Sequence, residues 1–446
     1  MDAVIRYILD LGAAVFLPIV MIIIALIVKM KPQKAIICGI TLGIAFTGMN
    51  VVLGFMFNSI SPAAAAFVRS TGINLTTIDV GWSPVAAIAW AWPYALMVFP
   101  IQIAINVIMI ALGWTNCLNV DMWNVWGKIL TALMVTALTD SVALGLVAAG
   151  VEVVFELKNG DFMQKSIHKL SKLPDVTCAH VMNLEGVILA PINRMLDFVP
   201  ILNKINVDSN KLKEKIGIFG ENSVMGFIVG GAIAAFGGYD MKGILTTAVQ
   251  VATALVLFPL VANLFMDSLG PIAQAAGDFM KEKYNGREFF IGVDWPILAG
   301  RSELWVASIL LIPFELLFAV LLAKVGISSV LPLASIINIG FVVSSLIITG
   351  GNLVRMLIMG IITTPIYLIV SSQFAPIFTK YAQIQNTLTV PDGQLLTYFG
   401  IEGPEFRWAI AHAANIIHGD VIGLGLFSAF IALFVWYGKY MRERNN

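Results

Sequence analysis

The sequence predicts an all-α polytopic membrane protein of about eleven transmembrane helices, at roughly 20 apolar residues each, arranged as an inverted repeat with re-entrant segments. Three observations carry that prediction. The chain is 59% hydrophobic and 12% charged, with a mean hydropathy of +0.88, against roughly 25% charged residues in a soluble domain. Its membrane part recurs: Asn58-Ser59-Ile60-Ser61-Pro62-Ala63-Ala64 returns as Asp267-Ser268-Leu269-Gly270-Pro271-Ile272-Ala273, and Trp82, Trp92 and Pro100 return 213 positions later as Trp295, Trp305 and Pro313. Loop charge then reverses between the copies. Lys29, Lys31 and Lys34 follow the first apolar run, where the counterpart has Lys242; Arg69 lies in the next loop, where the counterpart has Lys281, Lys283 and Arg287. Lys and Arg gather on the cytoplasmic side, so the second copy reads as upside down. Internal repeats in an apolar chain point to a transporter whose substrate site lies where the halves meet.

Apolar runs long enough for helices occupy 12–28, 35–57, 84–112, 128–155, 222–237, 243–266, 303–323, 328–349, 353–371 and 409–437. The first reads as a retained helix rather than a cleaved signal, because a lysine cluster follows it. The more polar stretch 177–201 carries Asn183, Glu185, Asn193, Arg194 and Asp197. It is a crossing, a re-entrant segment or an interfacial helix; counted as a crossing, it completes the set. Lys439, Arg442 and Arg444 place the C-terminus in the cytoplasm, while Arg6 balanced by Asp2 and Asp10 leaves the N-terminus outside. Residues 58–83 and 267–300 are interrupted by Ser59, Pro62, Gly72 and Gly81 and by Gly270, Pro271, Pro296 and Gly300. Irregular backbone at membrane depth needs protein or a wet cavity to satisfy it. Each stretch is therefore expected to hold a loop followed by a re-entrant tip, at 79–83 and 294–300. The cationic stretches 156–176 and 203–215 read as cytoplasmic loops or interface helices. The polar stretch 380–406, with the turn signal Pro391-Asp392-Gly393, reads as a non-cytoplasmic loop. The organisation expected is a first repeat at 1–112, a core helix with loops and the polar segment at 113–215, the inverted repeat at 216–325, and C-terminal helices at 326–446.

Zero net charge implies no nucleic-acid or acidic partner. Cys38, Cys117 and Cys178 lack metal or CxxC spacing and there is no Walker A motif, so no metal, cofactor or ATP hydrolysis is expected. Ionisable residues within apolar segments are the candidates for function: Asp140, Glu152, Arg301, Glu303, Glu315 and Arg355. Arg301 and Glu303 either neutralise each other or meet substrate. Glu315 and Gln102 occupy matching places in the two copies. His180 is the histidine of the polar middle segment. Asp79 and Asp294 precede the repeated Trp82 and Trp295 by three and one residues. Carboxylates beside an indole face suit a polyol: acceptors for hydroxyls and a flat apolar surface for carbon.

Several motifs resemble the galactitol-type membrane component, enzyme IIC, of the bacterial phosphotransferase system. They are Asp79-Val80-Gly81-Trp82, Asn119-Val120-Asp121-Met122-Trp123-Asn124-Val125-Trp126, Phe219-Gly220-Glu221, Gly238-Tyr239-Asp240-Met241-Lys242-Gly243, Phe290-Ile291-Gly292-Val293-Asp294 and Gly351-Asn352-Leu353-Val354-Arg355. They run in order over nearly the whole chain. The resemblance implies the ascorbate–galactitol class: a homodimer in the membrane lipid of the bacterial inner membrane, each protomer with a scaffold and a mobile core. Substrate crosses while a cysteine-phosphorylated enzyme IIB, fed by a separate enzyme IIA, phosphorylates it. No phosphoryl-carrying residue of this chain is expected. His180 matches a site histidine and Asp294 an acidic site position; Asp79, Trp82, Trp295, Glu221, Arg301 and Glu303 complete the expected substrate-contact set. One departure stands out. The family run is typically followed by a histidine after its last Trp, where this chain has Gly127 and then Lys128. The alternative on the same plan is an ion- or proton-coupled secondary transporter of a polyol, sugar or ascorbate-like substrate.

Overall fold

Two long apolar helices form the spine of the molecule, and each carries a proline that the helix absorbs. In the computed structural model, which describes residues 13–73, 75–204, 221–283, 289–388, 390 and 392–445, α1 (Ala13–Ile27) leads into α2 (Pro32–Ser70). Later α9 (Asn222–Phe236) leads into α10 (Met241–Lys283) in the same way. The expected interruptions after residues 57 and 266 are absent. The helices run on through Pro62 and Pro271, while Ser59 and Ser268 turn their hydroxyls onto the carbonyls of Phe55 (2.7 Å) and Phe265 (3.0 Å). Such back-bonding satisfies polar groups inside a helix.

α2 and α10 pack antiparallel. Phe46 meets Phe265 edge-on at 4.9 Å, and Lys29 lies 5.7 Å over the ring of Phe279. At the other end Gly237 packs against the Ala63 carbonyl so closely that a Cβ would stand 2.8 Å from it. The turn after α1 and the turn after α9 therefore sit at opposite ends of the pair. With 39 residues, α2 is about 58 Å long at 1.5 Å per residue, longer than the hydrocarbon core of about 30 Å.

The remaining elements pack around two small parallel sheets. β1 (Thr77–Asp79) is followed by α3 (Trp82–Trp90), a 3-10 turn (Ala95–Met97) and α4 (Val98–Ala111). Then come β2 (Cys117–Asn119), α5 (Val125–Thr139), α6 (Val142–Ser171), β3 (Val176–Thr177), a 3-10 turn (Val181–Glu185), α7 (Gly186–Leu196) and α8 (Pro200–Lys204). After α10 follow β4 (Phe290–Gly292), a 3-10 turn (Trp295–Leu298), α11 (Ser302–Lys324), β5 (Val330–Leu331), α12 (Ile339–Thr349) and α13 (Leu353–Ile384). The chain closes with β6 (Leu395–Thr397), α14 (Pro404–Ala414), a 3-10 turn (Asn415–His418) and α15 (Val421–Asn445). One sheet has the order β5-β1-β6, the other β2-β4-β3. Thr77 pairs with both Val330 and Leu395, and Ile291 with both Leu118 and Val176. The central strands β1 and β4 stand at the same repeat offset as the paired tryptophans, and each recruits a strand from the other half of the chain.

Several expected single helices prove to be pairs. The run 84–112 bends by 89° between α3 and α4, where Trp92-Pro93 cannot continue a helix. The run 128–155 divides at Asp140, which is left-handed (φ 53°), before Ser141 caps α6. In 328–349, helix begins only where Asn338 accepts the Phe341 amide at 3.1 Å. The run 409–437 breaks at Gly419 (φ 89°) between α14 and α15. Residues 156–171, expected as a cytoplasmic loop or an interface helix, continue α6. The polar stretch 177–201 ends in α7, whose 11 residues span about 16 Å, too short to cross. Among the described residues, five helices are long and apolar enough to span a membrane, or six with the bent pair. This establishes a polytopic, nearly all-α membrane protein. The N-terminal charges Asp2, Arg6 and Asp10, residues 205–215, Phe219, Gly220, Arg287 and Pro391 lie outside the described residues.

Candidate substrate site

The two sheets end in loops that converge on α2, and a cavity of about 100 Å³ opens there. Strand ends supply much of it. β4 delivers Asp294 and Trp295, β1 delivers Trp82, β3 delivers His180, and β6 delivers Tyr398 and Glu402; Asn50 and Phe46 of α2 close the opposite wall. Four of the residues singled out from the sequence, His180, Asp294, Trp82 and Trp295, thus meet in one place although they are remote in sequence.

Their geometry leaves polar groups for a ligand. The Nδ1 of His180 accepts the Met182 amide at 3.2 Å. That nitrogen is unprotonated, so Nε2 carries the proton of a neutral ring and can donate to a hydroxyl. Asp294 caps the following turn through one oxygen, accepting the Trp295 amide at 2.7 Å. Aromatic faces surround these groups: Trp82 lies 6.4 Å from Trp126, and Trp295 lies 6.3 Å from Trp305, which stacks on Phe258 at 3.6 Å. Flat indoles fixed by such packing offer apolar walls for a carbon chain.

The Asn119–Trp126 run folds as a cavity wall. Asp121 accepts the Asn124 amide (3.2 Å) and its side-chain NH2 (2.6 Å), while Asn124 accepts Trp126 Nε1 at 3.1 Å. This chain of bonds aims Trp123, Asn124 and Trp126 into the cavity. The sequence offered this run only as a family likeness, not as a site. Glu402, Asn50, Tyr398 and Ser335 were missed as well. Glu402 lies at the end of the polar stretch 380–406, close to Glu405 and Arg407, and that stretch read as an external loop. Glu402 is 7% exposed, and its Oε2 has no protein partner.

The other expected contacts lie elsewhere. Asp79 is a structural clamp. It accepts amides from Gly81 (3.1 Å), Leu333 (3.1 Å), Ser335 (2.5 Å) and Phe399 (3.0 Å), and the Ser335 hydroxyl at 2.9 Å. Strand register explains the difference from Asp294: β1 aligns with β4, so Asp79 corresponds to Gly292 and Asp294 to Gly81. Arg301 and Glu303 pair with each other at 3.0 Å and do not line the cavity. Glu221 is exposed at the start of α9, also away from it.

Behind the cavity lies a buried charge cluster. Lys128 pairs with Glu156 at 2.6 Å, and Arg407 faces Glu152 at 3.9 Å, all at 1% exposure or less. Gly127 makes room for it, because a Cβ there would stand 3.1 Å from the Arg407 guanidinium. The place where the family pattern has a histidine is therefore occupied by an arginine reaching in from α14.

Residues 7–393 match the EIIC-GAT family, described as the PTS system sugar-specific permease component. The chain belongs to the EIIC-GAT family. Similar relatives are the galactitol-specific EIIC components of the PTS system from Escherichia coli strain K12 and from Escherichia coli O157:H7. Each is 35% identical over 433 residues, covering 95% of this chain and 95% of the relative. The family likeness expected from the motifs is thereby borne out, and the EIIC-GAT protein is a bacterial membrane protein.

Proposed function

We propose that this protein is the membrane permease of a phosphotransferase system that takes up galactitol or a closely related alditol. The observation that carries this is the 35% identity over 95% of the chain to galactitol-specific components, joined to a cavity that pairs indole faces with His180, Asp294 and Glu402. An acyclic polyol presents hydroxyls along a carbon chain. Nε2 of His180 donates to one hydroxyl. The carboxylates of Asp294 and Glu402 accept from others, and Trp82, Trp126 and Trp295 cover the carbon skeleton. Phosphorylation is assigned to a separate IIB protein charged by IIA, docking on the cytoplasmic face. The proposal includes a homodimer with the N-terminus outside and the C-terminus inside. Lys439, Arg442 and Arg444 at the C-terminal end support that orientation.

Calorimetry of the purified protein against galactitol, its diastereomeric hexitols and ascorbate tests the substrate class. Galactitol is expected to bind at least tenfold more tightly than ascorbate; preference for ascorbate would overturn the alditol reading.

A further inference from the structure

We propose that a basic pocket remote from the substrate cavity holds the phosphate of an anionic phospholipid. The pocket, about 700 Å³, lies where α7 and α8, the α12–α13 junction and the end of α15 meet. Arg194, Arg355, Lys439 and Arg444 line it, against Asp197 and Glu443. Asp197 is already engaged, accepting from Arg355 at 2.8 Å through one oxygen and from Arg194 at 3.3 Å through the other. Four cationic side chains against the carboxylates of Asp197 and Glu443 leave the pocket positive. The first turn of the 32-residue helix α13 opens onto the same space behind its Asn352 cap, adding the partial positive charge of a helix N-terminus.

The wall is held in place before any ligand arrives. Arg355 also donates to the Asn193 side chain at 2.9 Å, and Asn193 donates to the Tyr440 hydroxyl at 2.9 Å. Preordered guanidinium forks next to a mobile ammonium match a tetrahedral anion with several acceptor oxygens. The rim identifies the source of that anion. Met195, Phe198 and Ile201 are 67%, 78% and 65% exposed on one side, and Val435 is 56% exposed on the other. Trp436 stacks on Tyr440 at 5.4 Å at the boundary. Apolar side chains facing outward beside an aromatic pair mark the headgroup level of a bilayer. A phosphate seated in the pocket can keep its acyl chains on that rim, and basic pockets between helices take anionic headgroups in this way. A free phosphate or a phosphorylated sugar would make no use of the rim.

The test is native mass spectrometry of the purified protein in detergent, with phosphatidylglycerol or phosphatidylcholine of identical acyl chains. Wild-type protein should retain phosphatidylglycerol at least tenfold over phosphatidylcholine. Lys439→Gln with Arg444→Gln, both at exposed side chains, should cut that retention at least fivefold and leave galactitol affinity unchanged. Equal retention of the two lipids, or full retention by the double variant, would overturn the proposal. So would binding of inorganic phosphate without preference for the phospholipid. If the double variant melts early, Arg194→Gln supplies the same comparison.

Discussion

At the residue scale, two aspartates that look alike in sequence have opposite roles in space. Asp294 lines the cavity and is held by two protein donors, the Trp295 amide and the Asn124 side chain, whereas Asp79 lies outside it and spends both oxygens on five. Asp294→Asn should therefore weaken alditol binding about tenfold or more, since charge-assisted bonds are worth roughly 1.5–3 kcal/mol, with little change in melting temperature. Asp79→Asn should behave in reverse. An amide NH2 directed at backbone donors should cost about 3 kcal/mol of stability, seen as early melting, while affinity in the surviving fold is kept. Normal affinity in Asp294→Asn would remove that carboxylate from the site. His180→Ala should weaken binding by about fivefold, on the order of 1 kcal/mol for one lost bond to a hydroxyl. Calorimetry on the folded variant measures it, and unchanged affinity would exclude the imidazole. His180 and Asp294 were legible because polar residues in apolar surroundings stand out. Glu402 was not, because its placement depends on β6 returning to pair with β1, a contact between residues more than 300 positions apart.

At the element scale, the strand-to-helix corners set the cavity. Gly81 adopts φ 80° and ψ 179°, a conformation that is essentially glycine's alone, and a Cβ there would stand 3.1 Å from that of Ala334. Gly81→Ala should cost about 2 kcal/mol of stability and shift Trp82, measured as a lowered melting temperature together with weaker alditol binding. A variant as stable as wild type would show that the corner is not strained. The long helices and the repeat of Trp and Pro were readable from the sequence. The breaks at Asp140 and Gly419 were not, because Thr139-Asp140-Ser141 and His418-Gly419-Asp420 are short polar interruptions inside apolar runs long enough to read as single helices. The depth of α6 was hidden for a different reason. Glu152 stands out as a charge inside an apolar run, but Glu156 looks like a loop or interface charge until Lys128 is brought to it by α5, as Arg407 is to Glu152 by α14.

At the scale of the whole molecule, α2 and α10 run antiparallel and carry the two repeat-related turns to opposite ends. Single cysteines introduced at 29–34 and at 238–243 should accordingly label from opposite faces of the membrane, the first from the cytoplasm. Labelling of both from one face would contradict the inverted arrangement. Loop charge made this inversion readable, because it records which side each loop faced on insertion. How the halves interlock through strands from each other's repeat was not readable, since strands of two or three residues leave almost no periodic trace. The central claim is that this fold passes an alditol to a phosphoryl donor. The direct measurement is phosphoenolpyruvate-dependent formation of galactitol phosphate by membranes containing this chain, with the soluble IIA and IIB proteins added. The account predicts product only when the chain, both soluble proteins and phosphoenolpyruvate are all present. Accumulation of unmodified galactitol at an equal rate without phosphoenolpyruvate would contradict it.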